Sequence, residues 1–203
     1  MARMLYKIVY FMIIVLLSAC VTGYGPNGLN GGYKERKLGE GTFIVSFYGN
    51  TNTTEQRVWN FWMYRCAELT SLNGYDYFEL LPSKEHASWD EQEKPFQFTM
   101  IPSTFEMSET PRIQPVYYTY YTTYSSKAIV KMYKNPLPPN TKLLLDAKTI
   151  MAQLKPYVDS KGATTPPERK DLLIRAMVEA AIKSNKIKQE ESNILDGKLR
   201  QTM

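Results

Sequence analysis

The chain has 203 residues, with 25 lysine and arginine residues against 20 acidic residues, one histidine and two cysteines. This length predicts one domain of ordinary size with appendages, and the modest net charge of +5 argues against nucleic-acid binding, which usually requires a clustered basic face. One histidine and two cysteines also fall short of the ligand set that a zinc site requires, so neither a metal nor another cofactor is expected.

The first twenty residues have the layout of a secretory signal peptide. Arg3 and Lys7 precede an apolar run over residues 8–17, and small residues follow directly before Cys20. The sequence L-S-A-C that ends at Cys20 resembles the lipobox of bacterial lipoproteins. By that resemblance the peptide is cut before Cys20, which carries the lipid. An uncleaved transmembrane helix and a buried helix are the alternatives. The first is disfavoured because a span needs roughly 20 apolar residues, and the second because the run is apolar on every face.

Lipidation of Cys20 has consequences for charge, anchoring and disulfide bonding. Removal of residues 1–19 takes away two basic residues, which leaves 23 basic against 20 acidic ones and a net charge of +3. The resemblance implies a diacylglycerol and an N-linked acyl chain on Cys20, and several chains on one residue make anchoring durable. By analogy with Gram-negative lipoproteins, Val21 instead of aspartate favours the outer membrane, with the protein facing the periplasm. Cys66 then has no intramolecular partner and is expected to be a buried thiol, an intermolecular disulfide being the alternative.

The composition divides the chain into five parts. After the signal peptide, residues 1–19, a glycine- and asparagine-rich stretch predicts a flexible lipidated tether over 20–32. A domain follows over 33–158. A stretch of glycine, threonine and proline predicts a linker over 159–167. Residues 168–203 are predicted to form a helical hairpin that docks on the domain or on another protein.

The first half of the domain predicts a strand, a long helix and a second strand. Thr42–Tyr48 is rich in aromatic and β-branched residues, which indicates a strand. Apolar residues recur at spacings of three and four over Glu55–Leu72, which indicates a helix, and Thr53 with Gln56 has the spacing of a capping box. Tyr75–Leu81 is the next predicted strand. We expect this β-α-β start to pack the helix across one face of a small sheet.

The second half adds one clear strand and three helices. Ala128–Tyr133 alternates as a strand does, and a short helix follows over 146–154 with Asp146 as its N-cap. Amphipathic helices are predicted over 168–184 and 189–200, which form the C-terminal hairpin. The predicted fold class is therefore α+β, a small sheet with one long helix on one face and a C-terminal helical hairpin.

A tyrosine-rich segment precedes the last predicted strand. Five tyrosines occur within nine residues, and their β propensity is high. They either fill the edge of a core or form a contact surface, since tyrosine is enriched at protein interfaces. The candidate interaction residues are Tyr117, Tyr118, Tyr120, Tyr121 and Tyr124.

Short motifs spread along the chain resemble a family of uncharacterised proteobacterial lipoproteins with the signature G-G-Y-x-E, G-N, Y-R-x-A-E-L-T and G-Y-x-x-F. The matching residues are Gly31-Gly32-Tyr33 with Glu35, Gly49-Asn50, Tyr64 to Thr70, and Gly74-Tyr75 with Phe78. A later block matches at Ile129 to Tyr133 and from Asp146-Ala147 to Leu154, so the likeness covers roughly residues 31–158. It implies a lipid-anchored envelope protein with an α+β domain and no assigned reaction. The tyrosine-rich segment and the C-terminal hairpin, which faintly resembles SHOCT-type tails, depart from the family.

Charged residues within these motifs suggest one ion pair. Arg65 and Glu68 lie three residues apart on the predicted helix and can pair on one face, and Glu35 is a further possible partner of Arg65. The pair either grips a ligand or is structural, fixing how the helix meets the sheet edge or the tether. The structural interpretation is favoured because such pairs are common and of modest strength.

The sequence contains no recognisable catalytic motif. His86 lies in a polar stretch without a nucleophile motif, although nucleophilic catalysis needs an activating base near the nucleophile. Asp90, Glu91 and Glu93 cluster as the carboxylates of a glycosidase do, but a solvated loop explains them equally well. The glycines of 23–32 lack the lysine of a phosphate-binding loop. No catalytic residues are therefore assigned, and the chain is expected not to be an enzyme.

Three classes of function fit these observations to different degrees. The leading hypothesis is a structural or interaction subunit of a cell-envelope complex, such as the core of a secretion machine. It is anchored in the outer membrane by lipid, with envelope proteins and not nucleic acid as partners. The alternative is a periplasmic module that binds cell wall or a small ligand. An envelope glycan or lipid hydrolase is the third.

Overall fold

Over residues 21–81, 123–138, 141 and 144–202, which the computed structural model describes, five strands form one antiparallel sheet and four α-helices pack with it. The strands are β1 (Gly32–Gly39), β2 (Thr42–Tyr48), β3 (Tyr77–Leu81), β4 (Ser125–Tyr133) and β5 (Leu145–Asp146). The helices are α1 (Glu55–Leu72), α2 (Ala147–Asp159), α3 (Arg169–Lys183) and α4 (Ser192–Thr202), with a 3₁₀ turn at Gln189–Glu191. The strand order is β1-β2-β4-β3-β5, and the predicted α+β class is confirmed.

The predicted β-α-β start is present, but its two strands are not neighbours. β4 lies between β2 and β3 and runs antiparallel to both, with Ile129 opposite Ile44 and Val130 opposite Leu80. β2 and β3 are therefore parallel to each other and separated by one strand. The strand predicted over Ala128–Tyr133 is thus the middle strand of the sheet.

Helix α1 lies at the centre of the hydrophobic core and has the bounds predicted for it. It packs against β2, β4 and α2, so it is buried on more than one side. Phe47 of β2, Phe61 of α1 and Phe78 of β3 are fully buried in the same cluster. Cys66 of α1 is also fully buried and free, and burial raises the pKa of its thiol. The thiol therefore packs as a small apolar group.

The N-cap of α1 is one residue later than the sequence predicts. Thr54 occupies the cap, and its hydroxyl accepts a hydrogen bond from the Arg57 amide. Thr53, expected at this position in a capping box with Gln56, is 3 % exposed and hydrogen-bonded elsewhere. By contrast, Asp146 caps α2 as predicted, accepting from the Thr149 amide at 2.7 Å.

Strand β1 has no counterpart among the predicted elements. It alternates half-buried and exposed residues and carries four charges, over Lys34 to Lys37, that mask its strand character. It pairs with β2 along one side and forms an edge of the sheet. Charged side chains on an edge strand hinder pairing with another chain, which gives a physical reason for this composition.

The C-terminal hairpin belongs to the same compact unit as the sheet, so of the two predicted docking alternatives the structure has the one in which the hairpin packs on the domain. Leu172 and Ala176 of α3 are buried in the main core cluster. The other side of α3 is buried too, where Ile174 and Val178 form a small cluster with Leu199 of α4. Residues of the predicted linker also contact α1, since Arg57 donates a hydrogen bond to the Lys161 carbonyl.

Within the described residues, no helix combines the length and apolar character needed to cross a membrane.

Candidate functional site: the docked N-terminal segment

Residues 22–31, called the docked segment below, are fixed on the domain, although the sequence predicts a flexible tether here. Thr22 is 1 % exposed, and its amide donates a hydrogen bond to the Thr53 hydroxyl at 3.1 Å. Its own hydroxyl donates to the Asn30 carbonyl and accepts from the Asn50 amide at 2.9 Å. The prediction of a tether failed because this stretch contains few apolar residues and many glycines and small polar residues. Such residues are typical of flexible segments, but they also fit where two backbones approach closely.

Thr53 serves the docked segment instead of the helix. Its hydroxyl lies 2.8 Å from the Thr22 hydroxyl and 2.7 Å from Asn50 Oδ1. A buried hydroxyl that accepts one hydrogen bond and donates another is satisfied, which explains why Thr53 is buried without penalty. The loop before α1 and the docked segment therefore share one small polar network.

The docked segment turns back on itself before it continues into β1. Gly28 and Gly31 exchange two backbone hydrogen bonds, of 3.0 and 3.1 Å, around the two-residue tip Leu29-Asn30. Gly31 has a φ of +89°, and a Cβ atom there would lie 2.2 Å from the Tyr48 carbonyl oxygen. Only glycine allows this close passage of the turn over the end of β2.

Tyr24 fills the space between the docked segment and α1. Its ring lies 5.3 Å from that of Tyr33, 5.8 Å from Phe61 and 5.2 Å from Tyr64, the last pair perpendicular. Its hydroxyl donates a hydrogen bond to Glu68 of α1. Burial, reinforced by the Glu68 carboxylate, raises the pKa of the Tyr24 phenol. The phenol therefore stays protonated and acts as a donor at physiological pH.

Arg65 joins α1 to the edge strand. It contacts Glu35 of β1 and Glu68 of its own helix, and its guanidinium lies 4.1 Å above the Tyr33 ring. Burial lowers the pKa of Arg65, but hydrogen bonds to the two carboxylates outweigh that effect and raise it. The side chain is only 11 % exposed, and Glu35 and Glu68 are 22 % and 24 % exposed. These contacts hold β1, α1 and Tyr24 together.

The chemistry of this cluster is that of a structural lock. Glu68 is bonded to both Arg65 and Tyr24, and Glu35 is bonded to Arg65, so one guanidinium is shared by two carboxylates and every charged group of the cluster has a partner within it. A residue that grips a ligand needs a group that is free to bind, and these three are already engaged. In the described part of the chain there is also no group of three histidine, cysteine or acidic residues that could hold a metal ion.

Three of the four short motifs of the lipoprotein-like signature contribute residues to this lock or to the docked segment beside it. The contributing residues come from three separate stretches of the sequence: Gly31-Gly32-Tyr33 with Glu35, Gly49-Asn50, and Tyr64-Arg65 with Glu68. Sequence reasoning identified the motifs and the Arg65 pair but not their common location. Sequence reasoning missed Thr22 and Tyr24 as parts of this site, because they lie in a stretch whose composition predicts a flexible tether.

Several predicted site residues lie outside the described part of the chain. These are Cys20, the tyrosines at 117, 118, 120 and 121, and the cluster of His86, Asp90, Glu91 and Glu93. Tyr124 is described, is 40 % exposed, and accepts a hydrogen bond from the Gly49 amide through its carbonyl. It therefore lies beside the docked segment, at the end of the sheet where β4 begins.

A second candidate site, missed by sequence reasoning, is a cleft of about 320 Å³ between the start of α1 and the start of α3. Asn60 lines it, is 2 % exposed, and has an amide nitrogen without a hydrogen-bond partner. Arg169 stacks on Trp59 at 4.4 Å and pairs with Glu55 at 3.4 Å. An aromatic ring beside amide and charged groups suits a polar ligand with apolar faces.

Comparisons with known proteins give no match for this chain: no family model, no curated protein and no solved structure is similar to it.

Proposed function

We propose that this protein is a lipid-anchored, non-catalytic subunit of a cell-envelope complex, attached through Cys20 to the outer membrane and facing the periplasm. The observation that carries the proposal is the combination of the lipobox-like L-S-A-C with the burial of Thr22 two residues later. A lipid on Cys20 would hold the folded domain directly at the membrane surface. A partner would then meet a domain of fixed position, which suits a structural subunit of a secretion machine or a similar assembly.

The lock around Arg65 supports a structural role over catalysis. Two carboxylates, a guanidinium and a phenol are hydrogen-bonded to one another there and hold the docked segment to the domain. Among the described residues, the fully buried thiol of Cys66 has a raised pKa, which is the opposite of an activated nucleophile. We therefore assign no catalytic residue.

The experiment combines lipid analysis with native size. The full-length chain, a Cys20→Ser variant and a Cys66→Ala control are expressed in a Gram-negative host. Intact mass and membrane flotation are then measured. We expect the wild type and Cys66→Ala to carry lipid and float, and Cys20→Ser to do neither. Migration of the wild type within an assembly of defined composition in mild detergent supports a structural subunit, and a lone lipoprotein would overturn that part.

The cleft at Asn60 favours a second candidate function, a module that binds cell wall or a small ligand. Its unpartnered buried amide can donate to a carbonyl or hydroxyl, and Trp59 can contact a sugar face. Soluble peptidoglycan fragments should then bind saturably, and Asn60→Leu should abolish binding without loss of stability. Equal binding by wild type and variant would exclude this cleft as the site.

A further inference from the structure

The structure fixes how far the lipid-bearing residue can lie from the folded domain. Thr22 is buried and hydrogen-bonded to Asn50 and Thr53 of the loop before α1, and only Val21 separates it from Cys20. Two residues of extended chain span at most about 7 Å. If Cys20 carries the lipid, as proposed above, the bilayer surface must lie close to the end of the sheet that holds Thr22.

An exposed apolar side chain lies at this same end. Leu29 is completely exposed, with a relative accessibility of 107 %, at the tip of the two-residue turn of the docked segment. Its neighbour Asn30 accepts the hydrogen bond from Thr22, so Leu29 is held next to the anchoring point. Val21 is a further exposed apolar residue here, at 37 %. A protruding leucine is costly in water and favourable in lipid.

The surrounding loops are free of charge. Residues 21–33 and 48–54 contain no lysine, arginine, histidine, aspartate or glutamate, although 22 % of the whole chain is charged. Bringing charged groups against a bilayer costs desolvation energy, whereas small polar residues and glycine cost little. The combination of a neutral surface and one protruding leucine suits the boundary between headgroups and acyl chains.

We propose that the surface formed by the docked segment contacts the lipid bilayer and that Leu29 inserts into its interfacial region. The lipid on Cys20 supplies the affinity, and Leu29 with the rigid turn sets the orientation of the domain. The inference rests on the proposed lipid attachment but goes beyond it. A lipid on a free tether would leave the domain unoriented, whereas the hydrogen bonds of Thr22 and the lock at Tyr24 exclude that freedom.

The test uses a matched pair of exposed leucines. Leu72 is 71 % exposed at the last residue of α1, and the eighteen residues of that helix place it about 27 Å from the helix start beside Thr53. Leu29→Cys and Leu72→Cys are each made in the full-length chain, purified in lipidated form and labelled with a polarity-sensitive fluorophore. The thiol of Cys66 is fully buried and that of Cys20 blocked by lipid, so labelling is confined to the new cysteine.

The labelled proteins are reconstituted into vesicles of phosphatidylethanolamine and phosphatidylglycerol, with and without lipids that carry a quencher. We expect a blue-shifted emission at position 29 and several-fold stronger quenching than at position 72. Equal, weak quenching at both positions in protein that floats with the vesicles would overturn the inference and leave the lipid anchor intact. Protein whose intact mass lacks lipid would instead refute the anchor itself. If the label at position 29 were shielded from solvent in native membranes but not in protein-free vesicles, the surface would contact a protein partner, and the inference would be overturned.

Discussion

Replacing Arg65 with leucine tests whether the lock at the docked segment stabilises the fold. The substitution removes the guanidinium but leaves Glu35 and Glu68, which are 22 % and 24 % exposed, without their cation. A hydrogen bond to a charged group contributes about 1.5–3 kcal/mol. Because water can reach part of both carboxylates, we expect a total loss of about 2–3 kcal/mol in the free energy of unfolding. This corresponds to roughly 4–12 °C in melting temperature for a domain of this size.

The chain offers a matched control at Arg200. This residue also bridges two carboxylates, Asp171 of α3 and Asp196 of its own helix, but its side chain is 44 % exposed. Solvent screens such a pair, so Arg200→Leu should change the unfolding free energy far less than Arg65→Leu. The measurement is thermal and urea unfolding of a protein that spans residues 20–203 and carries Cys20→Ser, with circular dichroism as the probe of the transition.

A triple variant separates two contributions to the lost free energy of unfolding, namely the missing attraction between Arg65 and its two carboxylates and the cost of leaving those carboxylates without a cation. Changing Glu35 and Glu68 to glutamine in the Arg65→Leu background removes the two unpaired charges and should restore part of the lost stability. Equal losses for Arg65→Leu and Arg200→Leu, together with no recovery in the triple variant, would refute the reasoning that burial makes this cluster stabilising.

Three further predictions concern the docked segment and the C-terminal helices. Gly31→Ala should release the docked segment and speed amide hydrogen exchange in it, because the new Cβ would clash with the Tyr48 carbonyl, whereas Gly28→Ala, with open space around it, should not. Removal of residues 160–203 should prevent cooperative folding, because α3 contributes to the core, whereas removal of 188–203 should leave a cooperative melting transition. Because the pKa of Tyr24 is raised in the folded state, the unfolded chain loses this proton first as the pH rises, so the free energy of unfolding should fall above about pH 10. Tyr24→Phe should make the free energy of unfolding less dependent on pH in this range. An unchanged pH dependence in the variant would contradict the assignment.

Local patterns in the sequence were sufficient to predict the main elements of the fold. The apolar spacing of α1 and the β propensity of β2 are strong signals, and both elements have the predicted bounds. The position of β4 between β2 and β3 could not be predicted, because strand order depends on contacts between residues far apart in sequence. Strand β1 was missed for another reason, since its charges are those of an edge strand and resemble those of a loop.

The candidate site was predictable only in part, because the sequence indicated the Arg65 ion pair but not the contacts of Thr22 and Tyr24. The spacing of Arg65 and Glu68 on a helix is a local property, and the structure joins them as the sequence suggested. Thr22 and Tyr24 lie among five glycines, and composition alone makes that stretch a tether. What fixes it is a set of backbone approaches, such as that of Gly31 to Tyr48, which no composition measure detects. The same tertiary effect joins α3 to the core and makes the predicted linker part of the fold.

The register between β3 and β4 has a consequence for how this chain can vary in length. The two strands are antiparallel neighbours, with Leu81 opposite Ile129, so a short hairpin turn would satisfy the sheet. The chain instead places residues 82–124 between them. Loop-closure entropy grows only with the logarithm of the sequence separation that is closed, so a tenfold increase in separation costs only about 2 kcal/mol. The β3–β4 connection is therefore a position at which this fold can accept a large insertion while the described strands keep their partners.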